Sequence, residues 1–205
     1  RPSPLLLRIK SLTNLYLVRF LVPGDKSVDH FIIRDADSRL SRRDFCAVEE
    51  WLKSGKMFHV LRDHPSHSNF PISGGLWGGN RFAFKKGEIE AALSHVFTSK
   101  NGMMSIQSSL LVNTGTSHYG ADMQWLSRAV WPKAKHSVLQ HDAFSCGSWG
   151  GGMPFPTRRV RFEHVGEKFG APASVKHKDV SILQAAKQPT MCMDRNNEAC
   201  GRHLP

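Results

Sequence analysis

Asp35 and Asp37 stand two residues apart in the run Arg34-Asp35-Ala36-Asp37-Ser38-Arg39. On an extended segment, side chains at i and i+2 point the same way. Two carboxylates so placed can share a hard divalent cation, which can in turn clamp a diphosphate. The competing reading is that the flanking arginines simply pair with them. Downstream, Gly74-Gly75-Leu76-Trp77-Gly78-Gly79 offers close backbone approach to a ligand, with Trp77 available to stack on a sugar or base. No Gly-Lys-Ser/Thr follows, so it is not a Walker loop, and a plain turn is the alternative. Asp122 opens a helical stretch after Tyr119-Gly120, where it is either an acid with work to do or a cap. His141-Asp142 follows a short apolar run, a placement that suits a metal ligand or a catalytic pair. Arg158-Arg159-x-Arg161 beside a Gly/Pro loop reads as a phosphate clamp, an RNA contact or a solvated basic strand. His59, His64 and His67 lie near Asp63 with spacing reminiscent of a metal cluster, but His59 falls inside an apolar strand and reads as a packed core histidine.

These residues need elements to hold them. Val28–Arg34 reads as a strand running into the acidic pair. Ser41 is then a helix cap, with Asp44 three residues on and Phe45, Val48, Trp51 and Leu52 at helical spacing up to Gly55. Met57–Arg62 reads as a second strand, which makes a β-α-β unit with an implied parallel pair and an α/β fold class. Residues 63–79 read as loop, Glu88–Thr98 and Ala121–Val130 as helices, and Val138-Leu139 as a strand delivering His141-Asp142. Cys146–Pro156, with four glycines and two prolines, must be an ordered loop or a lid. Val160–Val165 reads as a last strand. Residues 171–205 lack aromatic residues and read as an extension, partly helical at Val180–Lys187, that wraps the domain or reaches a partner. The expected division is residues 1–170 as the domain and 171–205 as the extension.

Lys and Arg number 28 against 17 Asp and Glu, a net charge of +11 spread over both halves of the 205 residues. Such a balance favours anionic partners: nucleic acid, nucleotide diphosphates, acidic protein or lipid surfaces. No apolar run approaches the ~20 residues a membrane-spanning helix needs; Leu15–Val22 is short and carries Arg19. The four cysteines show no C-x-x-C pair, so a zinc ribbon is excluded. Free thiols are expected, with a Cys192–Cys200 disulfide the alternative in a secretory chain. Residues 1–24 hold Arg1, Arg8, Lys10 and Arg19 and no acid, as a transit-peptide remnant or an ordinary basic segment would.

The ordered series RDADSRLS, AVEEWLKSG, FHVLRDHPSH, GGLWGG, YGADMQWL, VLQHDAF, PFPTRR and HVGEKF resembles a poorly characterised family of glycosyltransferase-like proteins of the GT-A type, over roughly residues 15–170. The resemblance implies an α/β fold, a truncated GT-A-like mixed sheet flanked by helices. It implies that Asp35, Asp37 and a late His141 hold Mn2+ or Mg2+ with a nucleotide-sugar diphosphate. Gly74, Gly75 and Trp77 would line the sugar or acceptor cleft, Asp122 would be the acidic residue near the acceptor, and Arg158 or Arg159 would face phosphate. Such a domain carries a nucleotide-binding half before its acidic motif, whereas 34 residues precede Asp35 here. Met123-Gln124 also departs from the expected Asp-Gln dipeptide.

Two readings follow. One is metal-dependent sugar transfer from a nucleotide-sugar to an acceptor, in the secretory pathway. The other is a catalytically inactive, glycosyltransferase-derived structural subunit, partnered by proteins or RNA of a large mitochondrial or plastid assembly.

Overall fold

The computed structural model describes residues 15–94, 97–100, 103–106, 120–170 and 172–201. The fold is α/β. Four strands form one mixed sheet: β1 (His30–Ile33), β2 (Phe58–Arg62), β3 (Trp77–Asn80) and β6 (Val138–Asp142), in the order β1-β3-β2-β6. A separate antiparallel pair, β4 (Phe97–Lys100) and β5 (Met103–Ile106), stands apart from it.

The helix α1 (Arg42–Ser54) forms as its sequence requires. Ser41 accepts the Asp44 backbone N–H, and Gly55 takes the left-handed conformation (φ 70°) that ends the helix. The chain then returns as β2, parallel in direction to β1. The two are not neighbours, which corrects the expected parallel pair. β3 lies between them, antiparallel to both. The reason is the pair Gly78-Gly79. A β-carbon on Gly78 would sit 2.6 Å from the Phe31 carbonyl, and one on Gly79 would sit 2.7 Å from the Phe31 ring. Only glycine lets this strand close on β1, so part of the expected glycine loop is a buried strand. On the far side of β2, β6 pairs in parallel from Phe58↔Val138 to Arg62↔Asp142.

One apolar cluster joins Phe31 and Ile33 of β1, Phe58 and Val60 of β2, Trp77 of β3 and Phe20 of the 3-10 segment Leu15–Gly24. α2 (Glu88–Ser94) adds Ile89 and Leu93. The expected helix from Glu88 is shorter than predicted, because Phe97 and Thr98 belong to β4. Trp125, Leu126 and Val130 also enter the cluster, as their spacing predicted. Their helix runs as α3 (Ala121–Trp125), a π turn (Leu126–Val130) and α4 (Trp131–Ala134), the π turn preceding Pro132, whose ring nitrogen has no hydrogen to donate.

Residues 160–165 form turns rather than the expected last strand. The loop 146–156 is ordered: the Gln140 side-chain amide donates to the carbonyls of Trp149 and Gly151, and Met153 bridges alongside β6. In the extension, α5 (Ala173–Ala185) begins earlier than expected. The residues after it fold back across the domain. Arg195 donates to Glu50 and to the Pro154 carbonyl, and Asp194 pairs with Arg43.

All four cysteines are paired, Cys46 with Cys200 and Cys146 with Cys192. The expectation of free thiols and the Cys192–Cys200 alternative are both corrected. Cys192 and Cys200 sit close in sequence, but the extension carries them to partners on α1 and on the loop after β6. Spacing along the chain says nothing of that crossing.

Candidate functional site

β1 ends at Ile33, and Asp35 leaves the sheet edge half exposed, with 50% of its side chain accessible. Its carboxylate is held by the Arg19 guanidinium, from the 3-10 segment. The same guanidinium donates to Asp122 at 2.9 Å. Residues 19, 35 and 122 therefore meet in space across 103 residues of sequence. The turn Gly74-Gly75 presses on both carboxylates: a β-carbon on Gly75 would lie 2.5 Å from Asp35 Oδ2, and one on Gly74 would overlap the Asp122 carboxylate and crowd Arg19. Four expected site residues, Asp35, Asp122, Gly74 and Gly75, are thus brought together. Arg19, set among apolar residues in Leu15–Val22, drew no functional reading from the sequence. Its signal is only that a lone cation in such a run needs a partner.

Asp37 lies two residues on, 48% exposed, and pairs with Lys168 at 3.1 Å. The flanking arginines do not neutralise the acidic pair. Arg34 forks onto Asp44 at 3.0 and 2.8 Å, and Arg39 lies over the Phe169 ring. Asp35 and Asp37 are oxygen donors of the kind hard cations take, and both are open to solvent. Mg2+-type sites commonly use one or two carboxylates completed by water and phosphate. Asp37 lies in a turn rather than on an extended segment, and the two carboxylates go to separate cations, Asp35 to Arg19 and Asp37 to Lys168.

His141 does not join them. It is 0% exposed, and both ring nitrogens are engaged: Nδ1 lies 2.9 Å from His59 Nε2, and Nε2 lies 3.1 Å from Glu50. The hydrogen-bond pattern assigns the tautomers. His141 Nε2–H donates to Glu50, His141 Nδ1 accepts from His59 Nε2–H, and His59 Nδ1 keeps a lone pair with no partner. Burial is the leading cause that holds both histidines below the ordinary range, so both are neutral at pH 7. The His141 hydrogen bond and the Arg195 fork bring Glu50 down to about 2. Among the described residues, three metal-type donors close together occur at Asp142, Cys146 and Cys192, where the two sulfurs are bonded to each other.

Trp77 is also placed away from any ligand. It is 0% exposed, edge-on to Phe31 and close to Phe20. Arg159 is absorbed by structure, donating to the side chain of Asp63 at 2.6 Å. Asp63 is fully buried. It accepts two hydrogen bonds from Arg43, both at 2.8 Å, and one from the Val165 backbone. Burial alone would raise its carboxyl, but the Arg43 and Arg159 charges and these hydrogen bonds outweigh it and hold it low. Arg158 is exposed. Arg62 and Asp142 make a second buried pair at 3.0 Å.

The expected cluster of His59, His64 and His67 divides. His59 is the packed core histidine, stacked on Trp51. His64 and His67 instead gather with His164, with ring centroids 4.7 to 5.9 Å apart. Nδ1 of His67 and Nδ1 of His164 are buried without a hydrogen-bond partner. Burial and the two neighbouring imidazoles push His67 down to about 3.

No family model, no curated protein and no solved structure matches this chain. No helix among the described residues is long and apolar enough to cross a membrane.

Proposed function

We propose that the chain is a glycosyltransferase-like domain that binds a nucleotide-sugar with Mn2+ or Mg2+ at Asp35 and Asp37, with Asp122 as the acid facing the acceptor. The observation that carries the reading is the convergence of Asp35 and Asp122 on Arg19 beneath the Gly74-Gly75 turn. Motifs distant in sequence meet at one place, where Asp35 is half exposed and the buried Gly74-Gly75 backbone comes close enough that no side chain fits between. That arrangement provides opposite charges for a diphosphate and its cation. A bound divalent cation would offset the negative charge that develops on the leaving diphosphate.

The disulfides weigh between the two readings. Structural disulfides persist in oxidising compartments and are rare where thiols are kept reduced. Cys46–Cys200 and Cys146–Cys192 therefore favour an enzyme of the secretory pathway over a subunit of a mitochondrial or plastid assembly. The test is calorimetric titration of Mn2+, and then of UDP- and GDP-sugars, into the purified chain. Metal-dependent binding that disappears in the Asp35→Ala/Asp37→Ala double variant is the expected result. A folded protein that binds neither metal nor sugar nucleotide would remove the proposal and return attention to protein or RNA partners.

A further inference from the structure

The segment Glu167-Lys168-Phe169 is joined to the acidic turn at three points. Two main-chain hydrogen bonds make an antiparallel bridge between Ser38 and Lys168, the first from Arg39 N–H to the Glu167 carbonyl at 3.0 Å. Phe169 N–H donates to the Asp37 carbonyl at 2.6 Å, and Lys168 pairs with the Asp37 carboxylate. Two of these links are main-chain, so the position of Phe169 beside Asp37 does not depend on packing of its own side chain. That side chain is left 68% exposed. The Arg39 guanidinium lies over the ring, 5.0 Å from its centroid.

A large aromatic ring held open in this way gains nothing from burial. Its use lies in what it can stack. The π face carries partial negative charge and attracts polarised C–H bonds laid flat against it. A pyranose ring presents such a face on one side and hydroxyls around its edge. Here the edge would meet Arg39 and the Asp35–Asp37 turn. We infer that Phe169, braced by Arg39, is a stacking platform for a pyranose ring of the saccharide handled at this site. The inference rests on the transferase reading for its setting, while its physical content, an open aromatic face beside the acidic turn, can be tested without metal or nucleotide.

The experiment is saturation-transfer difference NMR on the whole chain with maltotriose, mannotriose and N,N′-diacetylchitotriose, and with UMP and GMP as stacking competitors of another kind. At least one saccharide should receive saturation, strongest on its ring C–H protons. The transfer should fall at least fivefold in Phe169→Ala and return in Phe169→Trp. Because the side chain is exposed, Phe169→Ala is expected to keep the fold, which an unchanged melting curve would verify. Absence of transfer to every saccharide, equal transfer in Phe169→Ala, or transfer to the nucleotides alone would each overturn the platform. The two proposals fail separately. Saccharide stacking without metal-dependent sugar-nucleotide binding would leave the platform and remove the transferase, and the opposite pattern would do the reverse.

Discussion

Gly74 and Asp122, 48 positions apart in the chain, approach so closely that a β-carbon on the glycine would overlap the carboxylate. The atom in the way is the tip of a side chain rather than backbone. Gly74→Ala should therefore fold, at a cost of about 1–3 kcal/mol for the forced displacement. It should also push Asp122 off Arg19 and weaken metal-dependent sugar-nucleotide binding at least tenfold. Thermal melts and calorimetry on the same preparation separate the two effects. Unchanged binding would detach Asp122 from the site.

Arg19 is a resident cation between Asp35 and Asp122, so it would compete with the proposed metal for the Asp35 carboxylate. Removing its charge should strengthen binding of Mn2+ alone while weakening binding of the diphosphate that follows. For Arg19→Gln, a several-fold tighter Mn2+ affinity is expected, with looser UDP binding in the presence of Mn2+. Weaker Mn2+ binding would mean that Arg19 supports the metal pocket instead of occupying it.

The histidine cluster sets a pH dependence. Burial is the first cause that lowers His64, His67 and His164, so the folded state prefers them neutral. Unfolded histidine titrates near 6.5 and therefore binds more protons than the folded form just below that pH. Stability is complete above about pH 6.5 and is lost as pH falls toward the folded values, at up to ~1.4 kcal/mol per pH unit for each proton taken up. Melting temperature should thus decline between pH 7 and 5, before the carboxylates begin to titrate. His67→Gln should flatten that slope, and an equal slope in the variant would assign the effect to other groups.

Both disulfides close long loops, with separations of 46 and 154 residues. Cross-links of that span stabilise by about 4–5 kcal/mol in the chain-entropy picture, and often by less in practice. Intact protein should show no thiol reactive to alkylation, and reductant should lower the melting temperature by many degrees. Cys46→Ser should release Cys200 for alkylation while leaving Cys146–Cys192 closed. Four reactive thiols in the oxidised, folded protein would refute the pairing.

How much of this was legible in the sequence depends on range. α1 could be read because its cap, its apolar spacing and its terminating Gly55 are local, and β2 and β6 because their residues are apolar in short runs. The place of β3 could not be read. Gly78 and Gly79 look like loop residues until a neighbouring strand at their β-carbon positions gives them a reason. Within the site, Asp35, Asp122, Gly74 and Gly75 announced themselves by type and motif. Trp77 and His141 carried the same chemical promise, yet they point inward, and a strand's two faces are indistinguishable when both are covered. The pairing of Arg159 with Asp63 spans 96 residues, which no local pattern carries.

The strap formed by the last described residues sets a timetable for folding. Asp194 helps neutralise Arg43, Arg195 completes Glu50, and Cys192 and Cys200 close the cross-links. A nascent chain emerging from the ribosome would carry the sheet and α1 before any of these residues exists. Until they arrive, Arg43 and Arg159 share the single charge of Asp63, and two thiols wait without partners. The domain can therefore be finished only once residues 192–200 have been made, and their removal would strand charge in the interior rather than trim an appendage.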